Sequence, residues 1–163
     1  MKTLKILSFA IAFLIISLIP DTASSCTKKG KKFTSYANWV QHCVQQYVPH
    51  GTGSASVYHI NEEKNKTNTP STIDASISLA TLVQNSTDDE NRFTEGTGVE
   101  IEGYLLKVVK GGIETCNCCA NSDLMRDTHL YLVATANITS KKKSVIVEIT
   151  PQIRKAISIN GKD

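Results

Sequence analysis

The strongest constraint on the fold lies in residues 99–109, where apolar residues alternate as they do in a long β-strand and then change parity. Val99, Ile101 and Leu105 share one parity, Tyr104, Leu106 and Val108 share the other, and Gly103 stands at the changeover. A glycine at such a switch predicts a bulge that bends the strand and re-aims its faces, as small curled barrels require. Lys110-Gly111-Gly112 turns the chain. A second strand is expected over 128–134 and a third over 144–150, the latter ended by Pro151, with the basic run Lys141-Lys142-Lys143 between them. Three strands, the first long and bent, followed by a short helix over 152–157, match the opening of a small OB-type barrel. Of the two further strands that such a barrel needs, 156–159 offers only a fragment.

Upstream, Tyr36, Trp39, Val40, Cys43, Val44, Tyr47 and Val48 recur at intervals of three and four. This predicts an amphipathic helix over 34–49, with Thr34 or Ser35 as its cap and Pro49 and Gly51 closing it. Its aromatic side chains are expected to pack on the rest of the domain. The stretch 51–70 is poor in large aliphatic residues and reads as loop, with at most a short strand at 57–60. Residues 73–83 fit a helix and a strand equally well. The expected organisation is a leader over 1–25, a basic stalk over 26–33, the helix over 34–49, a linker over 50–94 and a β domain over 95–163. The fold class is α+β and mainly β: an OB-like, partly open and shortened barrel.

The leader follows from Lys2 and Lys5, an apolar run over 6–19, Pro20, and small residues at Ala23, Ser24 and Ser25. These are the parts of a secretory signal, and the run is short for a permanent membrane span. Cleavage after Ser25 would release a soluble chain beginning at Cys26. Alternatively, Cys26 is lipidated and tethers the protein to a membrane. Either way the working chain is exported, whether periplasmic, extracellular or tethered.

Removing residues 1–25 lowers the formal charge from +3 to +2 on 138 residues. A balance so near zero gives little grip on nucleic acid, which needs clustered Lys and Arg to neutralise phosphates. An exported chain with Cys43, Cys116, Cys118 and Cys119 is expected to form disulfides. The adjacent Cys118 and Cys119 rarely bond to each other, so a link from Cys43 to the cluster at 116–119 is the natural expectation. Zinc held by Cys116, Cys118, Cys119 and His129 is the competing use, at a spacing that strains a tetrahedral site. Asn65, Asn85 and Asn137 each begin a glycosylation tripeptide, relevant only in a eukaryotic secretory pathway.

Four stretches together carry a family resemblance: Val99-Glu100-Ile101-Glu102-Gly103-Tyr104; Gly111-Gly112-Ile113-Glu114-Thr115-Cys116-Asn117-Cys118; Asp127-Thr128-His129-Leu130-Tyr131-Leu132; and Val147-Glu148-Ile149-Thr150-Pro151 with Arg154. In them the chain resembles a group of small bacterial proteins, often exported, that look like OB-fold domains. The resemblance spans about the last seventy residues and excludes 28–70. It implies a fold and no activity. Members of the group usually continue beyond the equivalent of Arg154 into two more strands.

Candidate chemistry centres on Asp127, His129 and Glu148. His129 and Tyr131 share a strand face opposite Leu130 and Leu132, and Glu148 would meet His129 if the registers agree. An acid, an imidazole and a second acid at one mouth would hold a divalent cation or carry out acid-base work. The simpler alternative has Asp127 capping a turn, His129 bonded to a carboxylate and Glu148 paired with Arg154. A loose analogy with thermonuclease-like barrels draws on Asp127-Thr128 and Thr150-Pro151 with Arg126 and Arg154, but Ile149 stands where an acid is expected. The leading expectation is therefore a binding module without a cofactor, its partner an unidentified ligand or protein. Its ligand surface would comprise Tyr104, His129, Tyr131 and Glu148. The alternative is a metal-dependent phosphodiesterase-like hydrolase using Asp127, His129 and Glu148 with Arg154.

Overall fold

The structure is a computed structural model that describes residues 3–10, 26–27, 29–47, 50–68, 70–84, 89–94 and 96–157, with only the backbone at 3–10, 47, 89–90 and 155–157. The export cleavage region, the helix stop at Val48 and Pro49, the tripeptide at Asn85 and the second half of the strand fragment at 156–159 lie outside the described residues, while 156–157 belong to a helix. The regular elements are β1 (Thr3–Ala10), α1 (Tyr36–Trp39), α2 (Gln45–Tyr47), α3 (Ala55–Asn65), α4 (Leu79–Leu82), α5 (Asp89–Arg92), β2 (Gly98–Lys110), β3 (Thr128–Val133), β4 (Val145–Ile149) and α6 (Pro151–Ile157). The class is α+β. The chain divides into two compact units that interleave in sequence, one of residues 1–16, 68–109 and 129–148, the other of 17–67, 110–128 and 149–163. The contiguous 95–163 domain expected from the sequence is thus shared between them.

The first unit is built on an antiparallel sheet in the order β1-β2-β3-β4, and among the described residues it does not close into a barrel. β2, β3 and β4 fall where alternation predicted strands. β1 pairs with β2 from Thr3 opposite Tyr104 to Ala10 opposite Gly98, with an irregularity between Ile6 and Phe9. It occupies part of the stretch read as leader. One sheet face is apolar, since Val99, Ile101, Leu130, Leu132 and Val147 are buried. Gly103 belongs to that face: a Cβ there would lie 2.4 Å from Leu79 Cδ2 and 3.2 Å from the Val133 carbonyl oxygen. What the structure shows at Gly103 is close approach of α4, where the sequence suggested a bulge. The ambiguity over 73–83 resolves into both halves: Ile73 makes an isolated bridge to Gly98, and Ser78 caps α4 by accepting from the Thr81 N–H.

The second unit is covalently stapled. The predicted helix is present: Ser35 caps it by accepting from the Asn38 N–H at 3.1 Å, and between α1 and α2 it widens into a π-helical stretch over Val40–Val44. Disulfides join Cys43 to Cys118 and Cys26 to Cys119, whereas Cys116 is free and buried. The expected link from Cys43 to the cluster is therefore formed. Trp39, Cys43, Cys118, Ala120 and Met125 make a buried core, with Phe33, Tyr36, Val40 and Val44 packed against it.

The reading of 51–70 as loop is corrected by α3. The buried positions of this helix are Asn61, Glu63 and Asn65, so it presents no apolar stripe. Hydrogen bonds hold it instead: Asn61 donates to the His50 carbonyl at 2.7 Å, Asn65 to the Cys116 carbonyl at 3.2 Å, and Asn65 accepts from Gln152 at 2.9 Å. Such satisfied amides make a polar helix face tolerable inside a protein. They also bury Asn65, the first of the tripeptide asparagines. Gly51 lies at the approach to this helix with φ +59°, and a Cβ there would come within 2.3 Å of the Thr115 carbonyl oxygen.

Candidate functional site

Alternation along β3 places Leu130 and Leu132 in the buried face and turns His129 and Tyr131 to the other side. On β2, Gly103 faces the Leu132 side, so Tyr104 takes the opposite direction. His129 Nε2 lies 3.2 Å from Glu148 Oε1, with the two side chains 16% and 15% exposed. The imidazole and the acid at 148 therefore lie on one sheet face, together with Tyr131 and Tyr104. The contact is electrostatic and not an aligned hydrogen bond, because Nε2 has no hydrogen-bond partner of good geometry. The Lys141 ammonium sits 4.9 Å over the Tyr131 ring, a cation-π contact that orients the phenol. Val108 and Ile146 add exposed aliphatic surface to the unit.

The remaining suspects fall in the stapled unit. Asp127 has a fully buried side chain, accepts a 2.6 Å hydrogen bond from Asn117 Nδ2 and lies 3.7 Å from Lys64 Nζ. Its carboxylate is withdrawn from solvent. Arg154 donates to the carbonyls of Arg126 and Leu124 at 2.9 Å and to Thr128 Oγ1 at 2.6 Å. Three acceptors of the protein itself thus hold the guanidinium that a phosphodiester reading needs.

The disulfides take up Cys118 and Cys119, two of the residues named as the competing, strained zinc set with Cys116 and His129. Two of the three sulfurs are covalently bonded, and a metal ligand must be thiolate. The remaining thiol, Cys116, has its pKa raised well above the ordinary value, first by burial and then by the charge of Asp127, with Lys64 opposing. A thiol so placed stays protonated and is a poor nucleophile. Lipidation at Cys26 conflicts with the structure in the same way, since its sulfur is bonded to Cys119 and a lipid thioether would need that atom.

A cluster that sequence reasoning missed surrounds Asp127. Lys64 Nζ lies 2.5 Å from Glu114 Oε2, and the Cys116 thiol donates to the same oxygen at 3.5 Å. Glu114, Cys116 and Asp127 bring ligand-type atoms within 4.8 Å of one another, and the Lys64 ammonium supplies a cation there. Trp39 Nε1 donates to the Asn117 carbonyl at 3.1 Å and closes one side. Glu114 and Asn117 stand in the glycine- and cysteine-rich motif and could have been suspected from it. Lys64 lay in presumed loop and carried no signal.

No family model matches the chain, and no curated protein or solved structure matches it either.

Proposed function

We propose that the chain is an exported binding module of OB-like build whose ligand surface is the sheet face bearing Tyr104, His129, Tyr131 and Glu148. The observation that carries this reading is the approach of His129 to Glu148 at 3.2 Å on a face that also holds Tyr131, opposite the buried leucines. An imidazole beside a carboxylate offers a donor and an acceptor together, and phenol rings on either strand give flat apolar surface, the usual composition of a small-ligand site. The sequence of β2, β3 and β4 followed by α6 supports the OB-like reading and its resemblance to small exported bacterial proteins. Two disulfides accord with an oxidising compartment, and among the described residues no helix is long and apolar enough to cross a membrane. Residues 1–25 act as a signal sequence in this reading, and the Cys26–Cys119 bond favours release of a soluble chain over a lipid tether. A diacyl mass on Cys26 in membrane-extracted protein would reverse that preference.

The test is an NMR titration of isotope-labelled protein with chito-oligosaccharide, single-stranded oligonucleotide, and Ca²⁺, Mg²⁺ and Zn²⁺ in separate arms. One arm should shift the resonances of Tyr104, His129, Tyr131 and Glu148 together, and His129→Ala should weaken that binding about tenfold, as loss of a hydrogen bond to a charged group does. Perturbations confined to other surfaces would reject the face as a site. Cleavage of plasmid DNA with Mg²⁺, abolished by His129→Ala, would replace the binding module with the hydrolase.

A further inference from the structure

From the cluster around Asp127 we infer a modification of the chain itself: an intramolecular amide between Lys64 Nζ and the Asp127 side-chain carboxyl group. The two residues come from α3 and from the segment entering β3, and meet at 3.7 Å between Nζ and Oδ2. Both are withdrawn from water, Lys64 being 9% and Asp127 0% exposed in the side chain. Water therefore competes poorly for the carboxyl group and is not at hand to reverse the product.

Each accessory that such a condensation needs is present. Attack requires a neutral amine, and Glu114 Oε2, 2.5 Å from Nζ, is placed to accept its proton. Attack at Cγ also places negative charge on a carboxyl oxygen. Asn117 Nδ2 holds Oδ1 at 2.6 Å and stabilises the charge there, in the manner of an oxyanion hole. Asn117 is itself fixed, because Trp39 Nε1 binds its carbonyl. Oδ2, on the Lys64 side, is then the leaving oxygen. Glu114 is 24% exposed in the side chain, which keeps a route to solvent for the departing water.

The step balances without an oxidant or a co-reactant. The Nζ–Cγ bond forms and the Cγ–Oδ2 bond breaks. Two protons of the ammonium leave with that oxygen as water, one of them relayed through Glu114. Proximity removes the entropic barrier that makes the bimolecular reaction slow in water. Burial supplies a driving force, because charges held in the interior are costly and the amide removes two at once. Before reaction the cluster holds two acids and one ammonium; afterwards only Glu114, its most exposed member, is ionic. A static ion pair explains the approach of Lys64 to Glu114. The approach of Lys64 to Asp127, with Asn117 fixed on the other carboxylate oxygen, sets out the reacting groups as well.

The test is the mass of the full chain, purified from an oxidising compartment, with its disulfides verified before reduction. After reduction, the wild type should be lighter by one water than the sequence counted from its N-terminal residue as found by sequencing of that terminus. Trypsin should fail to cut after Lys64 and should give a branched peptide joining Lys64 to Asp127. Glu114→Gln and Lys64→Arg should both restore the sequence mass, and the former should leave the circular dichroism unchanged. A wild-type reduced mass equal to the sequence mass overturns the inference. So does a water-loss species that hydroxylamine opens while trypsin still cuts after Lys64, because that species is a succinimide.

Discussion

The two disulfides are nested, which fixes how their removal should combine. Cys43–Cys118 spans 75 residues and Cys26–Cys119 spans 93. With both bonded, either bridge closes only the short ring between them, whose size is the difference of those separations, 18 residues. In the chain-entropy treatment a ring of that size is worth about 3 kcal/mol, whereas the last remaining bridge closes the whole loop and is worth about 4.5 kcal/mol. Replacing Cys43 and Cys118 by Ala should therefore cost about 3 kcal/mol, as should replacing Cys26 and Cys119. Removing all four should cost about 8 kcal/mol, more than the sum of the two and comparable with the whole stability of a small domain, typically about 5–15 kcal/mol. Urea unfolding followed through Trp39, the single tryptophan, measures all three. The series is carried in a Glu114→Gln background, so that a Lys64–Asp127 link does not shorten the loop. Strict additivity, or a single-bridge variant losing the full loop value, would refute the nested pairing.

Two further outcomes follow from packing and burial. Gly103→Ala should destabilise by about 1–3 kcal/mol in thermal or urea unfolding, because its Cβ would meet Leu79 Cδ2 at 2.4 Å; Leu79→Ala should therefore cost less in the Gly103→Ala background than in the wild type. Cys116 should resist iodoacetamide in the folded protein and react once unfolded. Burial holds its folded pKa above the ordinary value of 9.0, so its contribution to stability is complete below that pH and is lost as pH rises through the folded value. The urea midpoint should accordingly fall at alkaline pH in the wild type and less so in Cys116→Ala.

The strands were legible because Val99, Ile101, Leu130, Leu132 and Val147 sit on a pleated, half-buried sheet, where burial writes itself into alternation. The pairing of His129 with Glu148 was legible for the same reason, once strand limits and parity were known. Trp39 and Cys43 betrayed the first helix through their spacing. α3 escaped because its inward side is built of Asn61, Glu63 and Asn65, and a face held by amide hydrogen bonds resembles a loop in composition. The partner of Cys26 escaped as well, since a cysteine at the end of a leader reads equally as a lipid site. Asp127 was singled out, but its contacts with Lys64 and Asn117 were not foreseen. Its partners Lys64 and Asn117 come from segments whose meeting no local periodicity encodes.

The distribution of cysteines explains why the covalent chemistry is gathered in one place. Every cysteine lies in the stapled unit, and the sheet unit has none. The sheet unit is held by its strand ladder and by buried Val99, Ile101, Leu130, Leu132 and Val147. In the stapled unit α1, the π-helical stretch and α2 run on as one short helix over 36–47, a length marginal for a helix on its own. Two of the five members of its core are the halves of one disulfide, and its longest helix turns amides and a lysine inward. Cross-links that constrain the unfolded chain compensate for burial that this unit lacks. An amide between Lys64 and Asp127 would extend that logic to α3, the one long element that neither disulfide reaches. Loss of that amide should therefore weaken the attachment of α3 and leave the His129–Glu148 face unchanged.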